Sequence, residues 1–441
     1  MFRYLFSDRR RLRAARTALE HLAPLLDARV CVRLWDGSVV PLGREADPRF
    51  ALAVSSPGVV SSLLRRPSLD NVFQHYAAGR IDFQGGDLMD FIAAARVKNS
   101  RTRLRQVNKW LLARQAVPFL FYPADHSSVQ HQVAANQATR PPRRHSAEFV
   151  QFHYDLGNEF YQLFLDPELM QYSCAYFTDW GNSLEQAQQD KLEMICRKLR
   201  LRPGETLFDP GCGWGGLVCY AAQHHGVQAY GTTLSRQQAE FAQEKIRRLG
   251  LQDRAKVELR DYSEVEGTFD KIASIGLMEH IGIANYPRYF QKMYALLRDR
   301  GILINHAIAR CGKLKHGRAA RPRAAQAVIQ KYIFPGGELD HIGNTVAAME
   351  RCHFEVRDVE AWREHYALTT KIWCQRLSAN REKAEALVGS ESYRMWTAYL
   401  AGFSFGFTDG ALGLYQIVST KHASKGVSGM PPTRQHLYAS S

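Results

Sequence analysis

Between Leu207 and Gly216 the chain reads Leu-Phe-Asp-Pro-Gly-Cys-Gly-Trp-Gly-Gly, an acid followed by a cluster of glycines. The apolar run that opens at Thr206 and stops at Asp209 reads as a buried parallel strand, and the glycines let the backbone turn sharply into a helix beginning near Gly216. Glycine has no Cβ and tolerates positive φ, so such a turn can press bare backbone against a ligand. The spacing is not the Gly-x-Gly-x-x-Gly of a dinucleotide site, because Gly211, Gly213, Gly215 and Gly216 lie closer together and follow Asp209. The plain alternative is a tight turn in an α/β sheet with no ligand. Downstream, Glu279 and His280 follow a fourth strand over 269–275, and Asn305-His306-Ala307-Ile308 ends a fifth over 301–309. Ligands in open α/β sheets bind outside the carboxyl ends of the strands, so these side chains emerge near whatever the glycine turn holds.

An acid at the end of the first strand followed by Gly-x-Gly resembles the first motif of class I S-adenosylmethionine (SAM) methyltransferases. The longer run Asp-x-Gly-Cys-Gly-Trp-Gly-Gly is similar to that of the cyclopropane-fatty-acyl-phospholipid synthase family. The resemblance recurs in order at His153-Tyr154-Asp155-x-Gly157-Asn158, at Gln171-Tyr172-Ser173-Cys174-Ala175-Tyr176-Phe177, at Thr232-Thr233-Leu234-Ser235, at Lys331 to Leu339 and at Tyr366-x-x-Thr369-Thr370. It covers residues 148 to 420, with Pro210 standing for an aliphatic residue and Asp340-His341 for the more usual Pro-Ser. The fold it implies is α/β, a class I methyltransferase doubly wound sheet with a helical cap over the methyl donor, preceded by a small α+β, sterol-carrier-like domain.

By the same resemblance SAM lies against Tyr172, Ser173, Asp209, Gly211, Gly213 and Asp261, with Thr233 and Gln238 replacing the acid that usually holds the ribose. From the residues alone, Ser235 and Gln238 also read as a capping box, Ser-x-x-Gln, opening the next helix. Bicarbonate is held in the family by a Cys backbone group, a Glu, a His, an Ile backbone group and a Tyr, which places it on Cys174, Glu279, His306, Ile308 and Tyr366. That set suits attack by a cis alkene on the sulfonium methyl, which leaves a carbocation on the acyl chain. Closing a cyclopropane ring then needs a base to take a proton from the new methyl group. Glu279 and His306 could serve as the base themselves, with Cys174 a core thiol.

The resemblance implies a SAM-dependent enzyme forming cyclopropane fatty acids on unsaturated phospholipid acyl chains. A methyl-branched or methylated unsaturated product is the second reading, a small-amine methyltransferase the third, and a non-catalytic lipid-binding protein on the same scaffold the fourth.

At 441 residues, 45% of them hydrophobic, the chain can bury a large core and divides into more than one domain. Turn signals and composition place an N-terminal α+β domain over 1–123, a basic flexible linker over 124–145, a catalytic domain over 146–420 and a disordered tail over 421–441. Within the first domain, residues 63–76 read as one helix. Lys plus Arg exceed Asp plus Glu by 58 to 43, a formal net charge of +15, which favours polyanions. The arginines at 3, 9, 10, 11, 13 and 16, interleaved with bulky apolar residues, and the six basic residues of 310–323 suit a solvated surface or contact with lipid headgroups. With the lipid resemblance, peripheral contact with an anionic membrane is expected, on its cytoplasmic inner face, and no nucleic acid. A homodimer is left open. Eight cysteines show no Cys-x-x-Cys pair and no zinc spacing, so no metal is expected.

Overall fold

A computed structural model describes residues 6–96, 103–126, 156–311, 324–334, 337–423 and 426–438. Outside the described residues lie the first five residues, most of the expected linker, His153-Tyr154-Asp155 and most of the basic stretch 310–323. The chain forms two compact units.

In the small unit, α1 (Asp8–Leu26) precedes β1 (Cys31–Arg33), β2 (Val39–Pro41) and β3 (Ala51–Val54), followed by α2 (Pro57–Arg65), α3 (Leu69–Ala77), β4 (Ile81–Gln84), α4 (Leu88–Ala95) and α5 (Lys109–Leu120). The strands pair in the order β2-β1-β3-β4, with β1 and β3 parallel and the other pairs antiparallel. Ala14, Ala15, Val32, Leu34, Val40 and Phe119 form its core. The single helix expected over 63–76 is two. Pro67 disfavours helical geometry at Arg66, whose φ and ψ are −132° and 76°, and the Ser68 hydroxyl then caps α3 by accepting from the Asn71 N–H at 3.2 Å.

Residues 321–333 and 377–401 also belong to this unit, which is therefore discontinuous in sequence. The Tyr332 hydroxyl donates to Asp70 at 2.8 Å, Arg394 pairs with Asp82 at 2.8 Å, and the Tyr76 and Thr397 hydroxyls meet at 3.2 Å.

The large unit begins with α6 (Asn158–Gln162) and α7 (Leu184–Leu199), and then alternates: β5 (Thr206–Asp209), α8 (Gly216–His225), β6 (Gln228–Thr233), α9 (Arg236–Arg248), β7 (Ala255–Leu259), β8 (Phe269–Ile275), α10 (Met278–Ile281), α11 (Tyr286–Leu296) and β9 (Leu297–Arg310). After α12 (Ala324–Tyr332), which lies in the small unit, come α13 (Ile342–Arg351), β10 (Glu355–Ala361), α14 (Arg363–Ala379), α15 (Arg381–Thr408), whose residues up to Ala401 also lie in the small unit, β11 (Leu412–Thr420) and α16 (Gln435–Tyr438). Gly389 at φ +79° breaks the helical path inside α15.

Seven strands form one sheet in the order β10-β11-β9-β8-β5-β6-β7, parallel except where β11 runs between β9 and β10. This is the expected doubly wound α/β architecture. One face packs Leu217, Val218, Ala221 and Ala222 of α8 against Leu207, Ala229, Ala273 and Ile304. The other packs Phe290, Met293 and Met349 against Phe208, Ile272, Leu303 and Ile417. Each fully buried side chain of this size contributes roughly 1.5–3 kcal/mol, which explains why the strands read as continuous apolar runs. From β5 the chain winds to β6 and β7 on one side, then crosses to β8 and β9 on the other, so the carboxyl ends of β5 and β8 flank the switch point where a crevice opens.

The expectation of a disordered tail is corrected. Leu437 is buried with Cys174, Met194, Trp362 and Leu414, Arg434 pairs with Asp358, and Arg200 donates to the Gly429 carbonyl at 2.6 Å. Polar composition concealed the apolar side chains that anchor it, Leu437 and Met430.

Candidate active site

Strand β5 delivers Asp209 to a buried position, and the turn after it is fixed by the Cys212 N–H donating to the Thr232 carbonyl at 3.0 Å. Positive φ occurs at Gly213 (+53°) and Gly215 (+74°) but not at Gly211. What Gly211 supplies is clearance, because a Cβ there would sit 3.2 Å from Leu277 Cδ1. At Gly213 a Cβ would meet nothing within 4 Å, so the backbone of the turn is bare on that side. Trp214 ties the turn to the helical cap. Its indole N–H donates to Asn158 Oδ1 at 2.8 Å, and its ring lies 5.0 Å from that of Tyr161.

At the end of β6 the Thr233 hydroxyl donates to Gln238 Oε1 at 2.7 Å and accepts from the Ser235 N–H at 3.2 Å. Ser235 Oγ in turn accepts from the Gln238 backbone N–H at 3.4 Å. The two readings of Gln238 therefore use different atoms: its backbone is capped, while its side chain is held by Thr233. Gln238 Nε2 is buried without a protein partner, as are Thr232 Oγ1 and Asp209 Oδ1. A bare glycine turn beside buried, unpartnered donors and acceptors fits a polar nucleoside such as that of SAM. Asp261 follows β7 and accepts from the Ser263 N–H at 2.8 Å, capping a short turn. Tyr172 stacks on Trp373 with ring centroids 5.3 Å apart.

The five residues assigned to bicarbonate come together. Cys174, Ile308 and Tyr366 share one apolar cluster with Trp362 and Phe407, and the His306 ring meets Trp362 edge-on at 5.7 Å. Glu279 Oε1 accepts from the Ile308 N–H at 2.6 Å, so two of the five bond each other, while Glu279 Oε2 and His306 Nε2 are buried without partners. Burial pushes the Cys174 thiol well above its usual range, so the thiol stays protonated, and it donates to the Ala175 carbonyl at 3.2 Å. Burial likewise pushes Glu279 up to about 7, against the lowering pull of the Ile308 N–H. Burial first, then the ammonium groups of Lys191 and Lys198, holds His306 well below the ordinary imidazole range and keeps it neutral.

The tautomer of His306 follows from its neighbours. Lys198, ion-paired with Glu360, donates to Gln416 Oε1 at 2.6 Å, which commits the other end of that amide, Nε2, to His306 Nδ1 at 3.0 Å. An amide N–H only donates, so Nδ1 accepts and the ring proton sits on Nε2. His306 thus presents an N–H, and Glu279, when protonated, an O–H: two donors suited to a small oxyanion such as bicarbonate.

Lys191 escaped the sequence reading. It is fully buried on α7, donates to Gln171 Oε1 and to Ser173 Oγ (3.0 Å), and burial pulls it down to about 8. Its charge acts on Asp209, which burial raises to about 7, and on His306. The signal was present: Leu184, Lys191, Ile195 and Leu199 share the core stripe of one helix, a position where a lysine calls for buried partners.

Gly213→Val forces a β-branched residue into left-handed geometry at the bare turn, and SAM affinity measured by calorimetry should fall at least about tenfold. Unchanged affinity would remove the turn from donor binding. Nitrogen NMR of the His306 ring should show the Nε2–H tautomer, and Gln416→Glu, whose carboxylate accepts, should move the proton to Nδ1. A wild-type ring protonated on Nδ1 contradicts the network. Glu279 and Asp209 both have folded values raised by burial above their ordinary 4.5 and 3.8. The ligand-free chain therefore keeps their contribution below about pH 4 and loses stability as pH rises through about 7. Glu279→Gln should remove about 3 kcal/mol of that dependence, read from denaturant midpoints across this window.

Residues 142–417 match the family described as mycolic acid cyclopropane synthetase. A "Probable fatty acid methyltransferase" of Pseudomonas putida is 35% identical over 415 residues, 92% of this chain and 95% of that one. The "Cyclopropane-fatty-acyl-phospholipid synthase" of Escherichia coli K12 is 37% identical over 275 residues, 62% of this chain and 68% of its own. Among solved structures, mycolic acid cyclopropane synthase CmaA1 complexed with SAH and CTAB superposes with a TM-score of 0.58 at 34% identity, covering 62% of this chain and 97% of that one. With the glycine turn, the doubly wound sheet and the buried carboxylate–imidazole pair described, the chain belongs to the mycolic acid cyclopropane synthetase family and is a SAM-dependent methyltransferase of the fatty-acid-modifying kind.

Proposed function

We propose that this enzyme transfers a methylene group from SAM to the cis double bond of unsaturated phospholipid acyl chains, forming cyclopropane fatty acids, and that bicarbonate at Glu279, His306, Tyr366 and the backbone of Cys174 and Ile308 takes part. The observation that carries the reading is the pairing of a neutral buried imidazole with a buried carboxyl poised near 7, each with one unpartnered polar atom. SAM supplies an electrophilic methyl group when bound. Bicarbonate would supply a base and a negative charge.

The chain's own residues do the rest. A cation forming on the acyl chain is destabilised by nearby positive charge, and burial with Lys191 and Lys198 keeps His306 from protonating. Glu279, near 7, can hold or release a proton at neutral pH, and an anion beside it favours the protonated form. The aromatic and apolar residues around Cys174 and Tyr366 exclude water from a cation it would trap. Atoms and charge balance: the alkene gains CH₃⁺ as the sulfonium becomes a neutral thioether, the new methyl loses H⁺ to the base, and the chain gains CH₂. Peripheral action at the inner membrane face accords with the surplus of basic residues and with the absence, among the described residues, of a helix long and apolar enough to cross a bilayer.

The second reading, a methyl-branched or methylated unsaturated product, is favoured by the Pseudomonas putida relative, whose name is fatty acid methyltransferase and which matches nearly the whole chain.

Glu279→Gln keeps the shape and removes the titrating proton. Turnover on unsaturated phospholipid vesicles should fall about 100-fold or more with SAM affinity little changed, and added bicarbonate should restore part of it. Wild-type turnover in this variant, or in thoroughly bicarbonate-free enzyme, removes the site from the mechanism.

A further inference from the structure

Helix α5 of the small unit turns apolar side chains to solvent. Trp110 is 73% exposed, Val117 38%, Leu120 46% and Phe121, just past the helix, 48%. Trp110, Arg114, Val117 and Phe121 recur at steps of four, three and four residues, so they stand on one stripe, about 16 Å long at the rise of an α-helix. The core-facing side of this helix is already used, by Pro118 and Phe119, the latter packed on Val32, Leu34 and Val40. The exposed stripe is therefore not a core face that folding left unfilled.

Along the segment that carries the stripe the charge has one sign. No acidic residue occurs from 103 to 124, and Arg105, Lys109 and Arg114 are exposed along the helix. At the far end Arg65 donates to the Leu120 and Tyr122 carbonyls at 2.8 and 3.0 Å, and the Arg10 guanidinium lies 4.4 Å over Phe6, whose ring is 6.4 Å from that of Phe121. Apolar anchors with an aromatic at each end, rimmed by cations, complement a surface that is apolar beneath and negative above. Two copies of this face brought together about a two-fold axis would set cation against cation. The apolar anchors gain nothing from a nucleic-acid backbone.

We propose that α5 docks this chain on an anionic lipid bilayer, with Trp110, Val117, Leu120 and Phe121 entering the boundary between headgroups and acyl chains and the flanking cations meeting anionic headgroups. The proposal rests on the reading that the substrate acyl chains are those of a membrane, and it names the surface that meets them.

The test uses the full chain and vesicles of phosphatidylglycerol with phosphatidylethanolamine, against vesicles of phosphatidylcholine. Trp110→Ser with Phe121→Ser, both at exposed positions, should weaken co-sedimentation with the anionic vesicles about tenfold or more. Lys109→Ser with Arg114→Ser should reduce the preference for anionic over neutral vesicles. Both double variants should keep wild-type SAM affinity and wild-type turnover on unsaturated phospholipid dispersed in detergent micelles, which separates loss of docking from loss of folding. Unchanged vesicle binding in the Trp110/Phe121 variant overturns the proposal. So does equal loss of turnover on micelles and vesicles, a wild-type oligomer that the variant dissociates, or tight DNA binding that the variant removes. Wild-type chain that binds vesicles through α5 but turns over neither form of substrate sustains the docking surface and sinks the proposed function.

Discussion

Water is kept from four ionisable side chains, three at or near the carboxyl ends of the central strands and one on α7, and the rest of the large unit depends on how their desolvation is met. Asp209, Lys191, Glu279 and His306 are all buried, and burial is the largest influence on each. An isolated charge in such a place costs several kcal/mol, so each group must neutralise, pair or accept hydrogen bonds. His306 neutralises, Glu279 and Asp209 sit near 7, and Lys191 rests on Gln171 and Ser173. Groups poised around neutrality are those able to hold or release a proton at neutral pH.

That constraint organises the elements around it. The parallel order of β5, β8 and β9 places three strand ends side by side, and the crossing at β5 opens the crevice they face. The segment Gln171–Cys174 closes over them because Gln171 and Ser173 accept from Lys191, Gln188 donates to the Gln171 and Ser173 carbonyls, and the Ala175 N–H donates to Thr369 on α14. One buried lysine therefore holds this segment to α7 and places its charge where it acts on Asp209. On the far side, the chain of Glu360, Lys198 and Gln416 fixes the face that His306 presents. Burial of Leu437 beside Cys174 shows why a polar C-terminal segment docks: it covers the apolar cluster that carries Tyr366.

Much of this was legible in the residues. Strand β5 and the glycine turn could be placed because an apolar run, an acid and clustered glycines leave few conformations open, and apolar runs likewise marked the strands that carry Glu279 and His306 to the site. The break at Arg66-Pro67 was also written in the sequence, since a proline disfavours helix at the residue before it, yet the apolar periodicity on both sides masked it. Other features were not legible. Joining 321–333 and 377–401 to the small unit depends on pairs such as Asp70 with Tyr332 and Tyr76 with Thr397, separated by hundreds of residues and lacking any local signal. The bond from Ile308 to Glu279 needs the register of β8 with β9, in which Ile275 lies opposite His306. Gln416 looked like an unremarkable strand residue until Lys198 and His306 were found on either side of it.

Counting deuterium tests the central claim most directly. SAM carrying a CD₃ group, given to the enzyme with a phospholipid whose acyl chains hold one cis double bond, labels the product with what survives proton removal. If the buried centre takes its proton from the transferred methyl group, mass spectrometry shows two deuteriums retained per modified chain, and NMR shows them on a cyclopropane ring. Three deuteriums retained would mean that the proton leaves from the acyl chain instead, and no deuterium at all would mean that the glycine turn does not deliver a methyl group to lipid.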